Sequence, residues 1–258
     1  MHYHRLYARQ RFLNSMKTRP ESPSRKPADI GALWCLGLAT WLFMSVAATA
    51  ATPVASGSPV RHVQFLAAEQ QSTHQVTAWI RETDNNHGKP FAIIDKKAAT
   101  LHVFDGAGKP RGSSPVLLGL AVGDDSVPGI GERKMSNIRP AERTTPAGRF
   151  ISEPGRNLQG EDIVWIDYDA AVSMHRVRTS NKADRRLDRL ATPTAADNRI
   201  SYGCVNVPAA FYDALIKPVF GVKPAVIYVL PETRPASSLF SLPTRTASSL
   251  NQVPAKAP

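Results

Sequence analysis

Cysteine is nearly absent from this chain. Two occur in 258 residues, Cys35 and Cys204. Acidic residues are also scarce against basic ones, 21 Asp+Glu to 32 Lys+Arg, which leaves a formal charge of +11. That surplus suits nucleic acid, anionic lipid or an acidic polymer and does not choose among them. No Lys/Arg-rich run is interleaved with aromatic residues, so the sequence argues against a nucleic-acid partner. There is no internal repeat, which argues against a solenoid or propeller.

Charge is missing altogether from Ile30 to Val60. Seven basic residues precede that stretch, and Ile30–Val46 reads IGALWCLGLATWLFMSV. Small residues follow, with Ala48-Thr49-Ala50 as an A-x-A cleavage site. A basic segment, an apolar segment and a small-residue segment make up a secretory signal. The same run, short for a span of about 20 residues, also reads as a membrane anchor. Residues 1–50 are therefore a signal peptide or an anchor, with Met16 as an alternative start, and both readings export residues 51–258. An uncleaved N-terminus would be the only membrane attachment.

Export gives the cysteine scarcity its meaning. Cys35 lies inside the apolar run and leaves with it on cleavage, so the exported portion keeps one thiol. A lone Cys in an oxidising compartment has no internal disulfide partner and is either inert or reactive.

The rest divides by pattern. Residues 51–85 form a Pro/Ser/Gly linker and a short helix over 72–83, with Val76, Trp79 and Ile80 on one apolar face. Short β-rich runs follow at 91–95, 100–104, 115–123, 146–152, 163–168, 171–177 and 224–230. Residues 105–112 and 124–145 read as loops, the second long enough to suggest function. Helices are expected within the charged stretch 178–200, at ADRRLDRLA, and over 207–217. The predicted core, 86–231, is mainly β, with mixed short strands and one or two short helices. Residues 232–258 read as a disordered Pro/Ser-rich tail.

Cys204 stands in Ile200-Ser201-Tyr202-Gly203-Cys204-Val205-Asn206-Val207-Pro208, after a Gly and before the expected helix. A helix N-terminus lowers a thiol's pKa, and the Gly203 and Cys204 amides are placed to meet a developing oxyanion. A buried structural Cys fits the same pattern. A thiol nucleophile needs a base. Of His62, His74, His87, His102 and His175, only His175 ends an apolar strand facing a polar loop.

The stretch Ser201-Tyr202-Gly203-Cys204-Val205-Asn206 resembles the active-site motif of the L,D-transpeptidase (YkuD-type) family, whose pattern is Ser/Thr, usually His, Gly, Cys, an apolar residue, then Asn or Arg. His175 sits where that family has its upstream His. IIDKKAATLHVFD (93–105) and Thr145-Pro146-Ala147-Gly148-Arg149-Phe150 resemble two further family elements, so the resemblance covers roughly 91–230. It implies a β-sandwich or barrel and a cell-wall acyltransferase in the periplasm or envelope. Cys204 would attack a peptidoglycan stem-peptide carbonyl, and His175 would serve as base. The Gly203 and Cys204 amides would hold the oxyanion, and Ser201, Tyr202, Asn206 and Arg176 would order the loop or contact substrate. The acceptor would be a stem-peptide amine or an envelope protein, and water would give a carboxypeptidase. No metal or organic cofactor is implied. Arg133, Lys134, Arg139, Arg143, Arg176 and Arg178 would meet stem-peptide carboxylates or form a solvated face.

Three departures stand out. Tyr202 replaces the usual His, Arg176 follows His175 where Gly or Ser is common, and 25 residues separate His175 from Ser201, more than the family has. The charged stretch 178–199 fills the difference as a lid or specificity loop, or else His175 is not the base. A binding protein of the same fold, its activity lost through Tyr202 and Arg176, is the second reading. Another exported cysteine enzyme ranks below both, since papain-type C-G-S-C-W and sortase-type T-L-x-T-C patterns are absent.

Overall fold

The computed structural model describes residues 72–242. The expected signal or anchor, Cys35, the linker up to residue 71 and the tail from 243 lie outside the described residues.

Helix α1 (72–83) buries Val76, Trp79 and Ile80, the face that its spacing predicts. The strands that follow are β1 (Phe91–Asp95), β2 (Thr100–Phe104), β3 (Pro110–Pro115), β4 (Leu118–Gly119), β5 (Gly148–Arg156), β6 (Asp162–Asp167) and β7 (Val172–Arg176). Helix α2 (Arg186–Ala191) comes next, then β8 (Arg199–Ser201) and β9 (Val205–Val207). Helix α3 (209–220) passes through a π-helical stretch at Tyr212–Ile216, and β10 (Ala225–Val229) closes the set.

Eight strands form one mixed sheet in the order β3-β2-β1-β10-β5-β6-β7-β9. Its two edges approach each other where Leu117, just past β3, exchanges backbone hydrogen bonds of 2.9 and 2.8 Å with Asn206 of β9. The fold is therefore mainly β, a nearly closed sheet with few short helices, as the strand pattern predicts.

Alternation along the central strands makes two cores. Ala92 and Ile94 of β1 face inward with Leu101, Val103, Val164, Met174, Val205 and the apolar face of α3, through Tyr212, Ile216 and Phe220. Phe91 and Ile93 face outward under α1, in a second cluster with Trp79, Phe104, Tyr228 and Phe240. Strands covered on both faces lose polar alternation, which is why FAIID and AVIYV read as continuous apolar runs.

The packed body is larger than the predicted 86–231. Helix α1 covers one sheet face, and the C-terminal segment returns so that Phe240, 2% exposed, stacks near Trp79 at 5.9 Å. The chain from 232 to 242 is thus part of the packed body, not tail: Ala236, Phe240 and Leu242 pack on the outer cluster, and Glu232 and Thr233 are bonded to Asp124. β3 was expected as loop. It is a polar edge strand beginning at Pro110, a position that needs no apolar alternation and tolerates Pro. The apolar run 115–123 is strand only at Leu118–Gly119, although Val116, Leu117 and Leu118 are fully buried. Among the described residues no helix is long and apolar enough to cross a membrane.

Candidate active site

β7 and β9 lie side by side and parallel, with Met174 opposite Val205 and His175 opposite Asn206. Met174 and Val205 fill the core. Alternation sends Ser173 and His175 to the opposite face of β7, beside the turn that carries Cys204.

That turn joins β8 to β9 and depends on Gly203. Its φ is +125°, and a Cβ there would lie 2.7 Å from the Thr144 carbonyl oxygen, so only glycine fits. Ser201, 4% exposed, donates from its hydroxyl to the Cys204 carbonyl at 2.6 Å and accepts the Gly203 amide at 3.1 Å. Thr145 fastens the turn from outside, accepting the Gly119 amide at 2.9 Å and donating to the Gly203 carbonyl at 2.8 Å. The T-P-x-G turn is therefore tied directly to the turn that carries Cys204. Beneath it Lys96, fully buried, donates to the Thr145 and Gly123 carbonyls at 2.9 and 2.6 Å and pairs with Asp124 at 2.8 Å.

Cys204 is half-buried and free. Its Sγ contacts Ser173 Oγ at 3.7 Å and the Ala171 carbonyl at 3.8 Å. Burial pushes the thiol's pKa up, against hydrogen bonds from Ser173 and the charge of Arg178, which pull it down. The sequence predicts the opposite direction, from a helix starting at 207. Instead β9 follows the turn and α3 begins at 209, so no helix N-terminus meets the sulfur.

His175 is held at both ring nitrogens. Nδ1 lies 2.7 Å from the Arg176 carbonyl, and Nε2 lies 3.4 Å from Asn206 Nδ2. A carbonyl only accepts, so Nδ1 carries the proton and Nε2 keeps its lone pair. Burial lowers the imidazole's pKa to about 4; Arg178 and Arg186 act in the same direction, while the Arg176 carbonyl and Glu161 oppose it. The resting pair at neutral pH is accordingly thiol and neutral imidazole, the imidazole's Nε2 lone pair facing the Asn206 amide.

The structure brings the expected residues together unequally. Asn206, 1% exposed, joins them: its Nδ2 donates to the Cys204 carbonyl at 3.2 Å as well as facing His175. Ser201 orders the loop from a buried position rather than lining a cleft. The Gly203 amide, expected at an oxyanion, is engaged by Ser201 in this conformation. The Arg176 side chain points away from His175, as alternation on β7 requires. It binds Asp213, lies 3.2 Å from Asp162 and stacks over the Tyr212 ring at 4.4 Å. What Arg176 offers the site is its carbonyl. Tyr202 is half-buried under Arg143, whose guanidinium carbon sits 3.9 Å from the ring centroid. Of the other basic loop residues, Arg133 and Arg139 pair with Glu142, and Arg178 pairs with Glu161.

Ser173, Lys96 and Arg186 went unrecognised in the sequence. The first carries a signal in hindsight, two residues before His175 on the same strand face. The other two act across 28 and 20 residues of separation or more, which no local pattern reports. Among the described residues no group of three or more His, Cys, Asp or Glu is arranged to hold a metal.

No family model matches this chain, and no curated protein sequence matches it. Among solved structures, the chain is similar to the NMR structure of the catalytic domain from E. faecium L,D-transpeptidase, at 17% identity and a TM-score of 0.30. That likeness covers 55% of this chain and 98% of the other. At that level it supports no assignment of activity.

Proposed function

We propose that this protein is an exported peptidoglycan L,D-transpeptidase of the periplasm or cell envelope. The observation that carries the reading is the arrangement on β7 and β9. A lone free thiol, Cys204, lies in a glycine-dependent turn, and a neutral imidazole, His175, is held at Nδ1 by a carbonyl and tied through Asn206 to the same turn.

In this reading Cys204 Sγ attacks the carbonyl of a stem-peptide donor and His175 Nε2 takes the thiol proton. The tetrahedral oxyanion forms near the Cys204 amide, with the Gly203 amide joining if Ser201 releases it. Collapse expels the donor's leaving amine, protonated by His175, and leaves a thioester on Cys204. An amine of a second stem peptide, or of an envelope protein, then attacks the thioester and regenerates the thiol; water in its place makes the enzyme a carboxypeptidase. No cofactor enters these steps.

A second reading is a wall-binding or scaffolding protein of the same fold. It draws on the thiol's own contacts, which run to Ser173 and the Ala171 carbonyl. The test is intact mass spectrometry of the protein after incubation with tetrapeptide-stem muropeptides, beside Cys204→Ala. A mass increase that needs Cys204, with cross-linked or trimmed products, supports the enzyme. A folded protein with no adduct and unchanged muropeptides supports the scaffold.

A further inference from the structure

The excursion between β7 and β8 is docked at several points. Leu190 is buried, Asn198 Nδ2 donates to the Val116 carbonyl at 3.1 Å, and Arg189 Nη1 reaches the Asp197 carbonyl at 2.8 Å. At its centre Arg186 is anchored by Asp184, Nε to Oδ2 at 2.9 Å, with side chains 19% and 23% exposed. From that anchor its Nη1 reaches Asn206 Oδ1 at 2.5 Å.

We propose that Arg186 is a positioning residue for the Cys204 centre: its guanidinium fixes the orientation of the Asn206 carboxamide, so that the excursion 178–199 completes the site.

The argument is one of hydrogen-bond polarity. A guanidinium has five N–H donors and no acceptor, so the Asn206 atom facing it must be the oxygen. Nδ2 is then forced to the other end, where it meets His175 Nε2 at 3.4 Å and the Cys204 carbonyl at 3.2 Å. An N–H donor aimed at Nε2 needs a lone pair there. The ring proton therefore sits on Nδ1, against the Arg176 carbonyl at 2.7 Å. Arg186, Asn206, His175 and the Arg176 carbonyl form a chain whose two ends agree on its direction, a guanidinium that cannot accept and a carbonyl that cannot donate. With the carboxamide turned over, Oδ1 would face Nε2 and compete with the Arg176 carbonyl for the ring proton, so that Nε2–H and the imidazolium, both without the Nε2 lone pair that a base requires, gain population.

Charge acts in the same sense. Arg186 and Arg178 disfavour the imidazolium, and Glu161 favours it. Both are ion-paired, Arg178 with Glu161 at 2.8 Å and Arg186 with Asp184 at 2.9 Å, and of the two it is Arg186 whose side chain also bonds Asn206 on β9.

This inference rests on the reading of Cys204 and His175 as nucleophile and base, and its test needs no wall substrate. The full chain is labelled with 15N, and long-range 1H–15N spectra of His175 are recorded against pH. Alkylation of Cys204 by iodoacetamide is followed in parallel, with the modified site assigned by peptide mapping. The wild type should show the Nδ1–H tautomer. Arg186→Ala should bring in the Nε2–H tautomer, raise the His175 midpoint by about one pH unit and slow alkylation at pH 7 about tenfold. Arg186→Lys, which restores charge and a donor, should recover most of both. Should Arg186→Ala fail to fold, Arg186→Gln carries the test: its amide can donate or accept, so it no longer imposes one direction on Asn206 and should lose both the fixed tautomer and the charge effect, and a wild-type tautomer and midpoint in it would overturn the proposal equally. A His175 tautomer and midpoint identical to wild type in a folded Arg186→Ala overturns the proposal. A tautomer shift without any muropeptide adduct in the wild type would sink the transpeptidase reading and leave this one standing.

Discussion

Two regions on the face of the sheet opposite the inner core are held together by different means. Under α1, Trp79, Phe91, Phe104, Tyr228 and Phe240 pack ring against ring, with Phe91 and Phe104 stacked at 4.8 Å and Phe91 edge-on to Tyr228 at 5.9 Å. Around Cys204 almost every contact is a hydrogen bond, from Ser201, Thr145, Asn206 and Arg186. Apolar burial is non-directional and tolerates small shifts, whereas a hydrogen bond fixes a donor against an acceptor. The first region supplies stability and the second supplies orientation, so substitutions in the two should separate folding from reactivity.

The widest separation comes from crossing Trp79→Ala with Cys204→Ala. Loss of the indole should cost about 3–5 kcal/mol in denaturant unfolding. Cys204→Ala should leave the unfolding midpoint near wild type and abolish thiol alkylation and any acyl adduct at that position. A Trp79→Ala protein as stable as wild type would break the comparison.

Gly203→Ala is next. It forces a Cβ to 2.7 Å from the Thr144 carbonyl at φ +125°, so the turn must move. A displacement near 1 Å at a reacting centre costs roughly 100-fold, and Cys204 alkylation or acylation should fall by about that factor. An Ala variant that reacts at the wild-type rate would mean that the turn does not position the sulfur.

Two histidines, one in each region, sharpen the contrast through pH. His102 on β2 and His175 on β7 both have pKa values lowered mainly by burial, His175 to about 4. Asp95 opposes the shift at His102, and His74 adds to it. A histidine whose folded pKa lies below its unfolded value of 6.5 binds its proton more readily when unfolded. Stability is therefore full above pH 6.5 and falls as pH drops toward 4. Thermal midpoints measured across that window should flatten in part for His102→Gln and again for His175→Gln. Only His175→Gln should also slow Cys204 chemistry at neutral pH.

The smallest effect is expected at Arg143. Its stack on Tyr202 at 3.9 Å is worth about 0.5–1 kcal/mol, so Arg143→Ala should shift the unfolding midpoint only slightly. A change in reactivity larger than in stability would mark the Arg143–Tyr202 pair as part of the cleft.

Much of this was legible in the chain because it rests on local periodicity. The strands at Phe91–Asp95 and Thr100–Phe104 coincide with the predicted runs, and α1 has the predicted apolar face. Cys204 and His175 were singled out by residue type and position, and the structure sets β7, which carries His175, beside β9, which follows Cys204. Helix α2 was visible in ADRRLDRLA, but not that Arg186 would turn inward while Leu187 stays 57% exposed. The edge strand β3 was missed because a strand at a sheet margin carries no apolar signature.

The sequence alone determined the mainly β fold, the single cysteine after residue 50, its glycine and the strand-end histidine, since each follows from composition or from a period of two to four residues. The tertiary structure decided what those residues touch. It set β7 beside β9, brought Thr145 and Lys96 beneath the turn and Arg186 across to Asn206, and exchanged the expected helix dipole for burial as the main influence on the thiol. Parallel pairing and buried polar contacts join residues far apart in the chain, and hydrogen-bond direction is settled only when the last partner is in place.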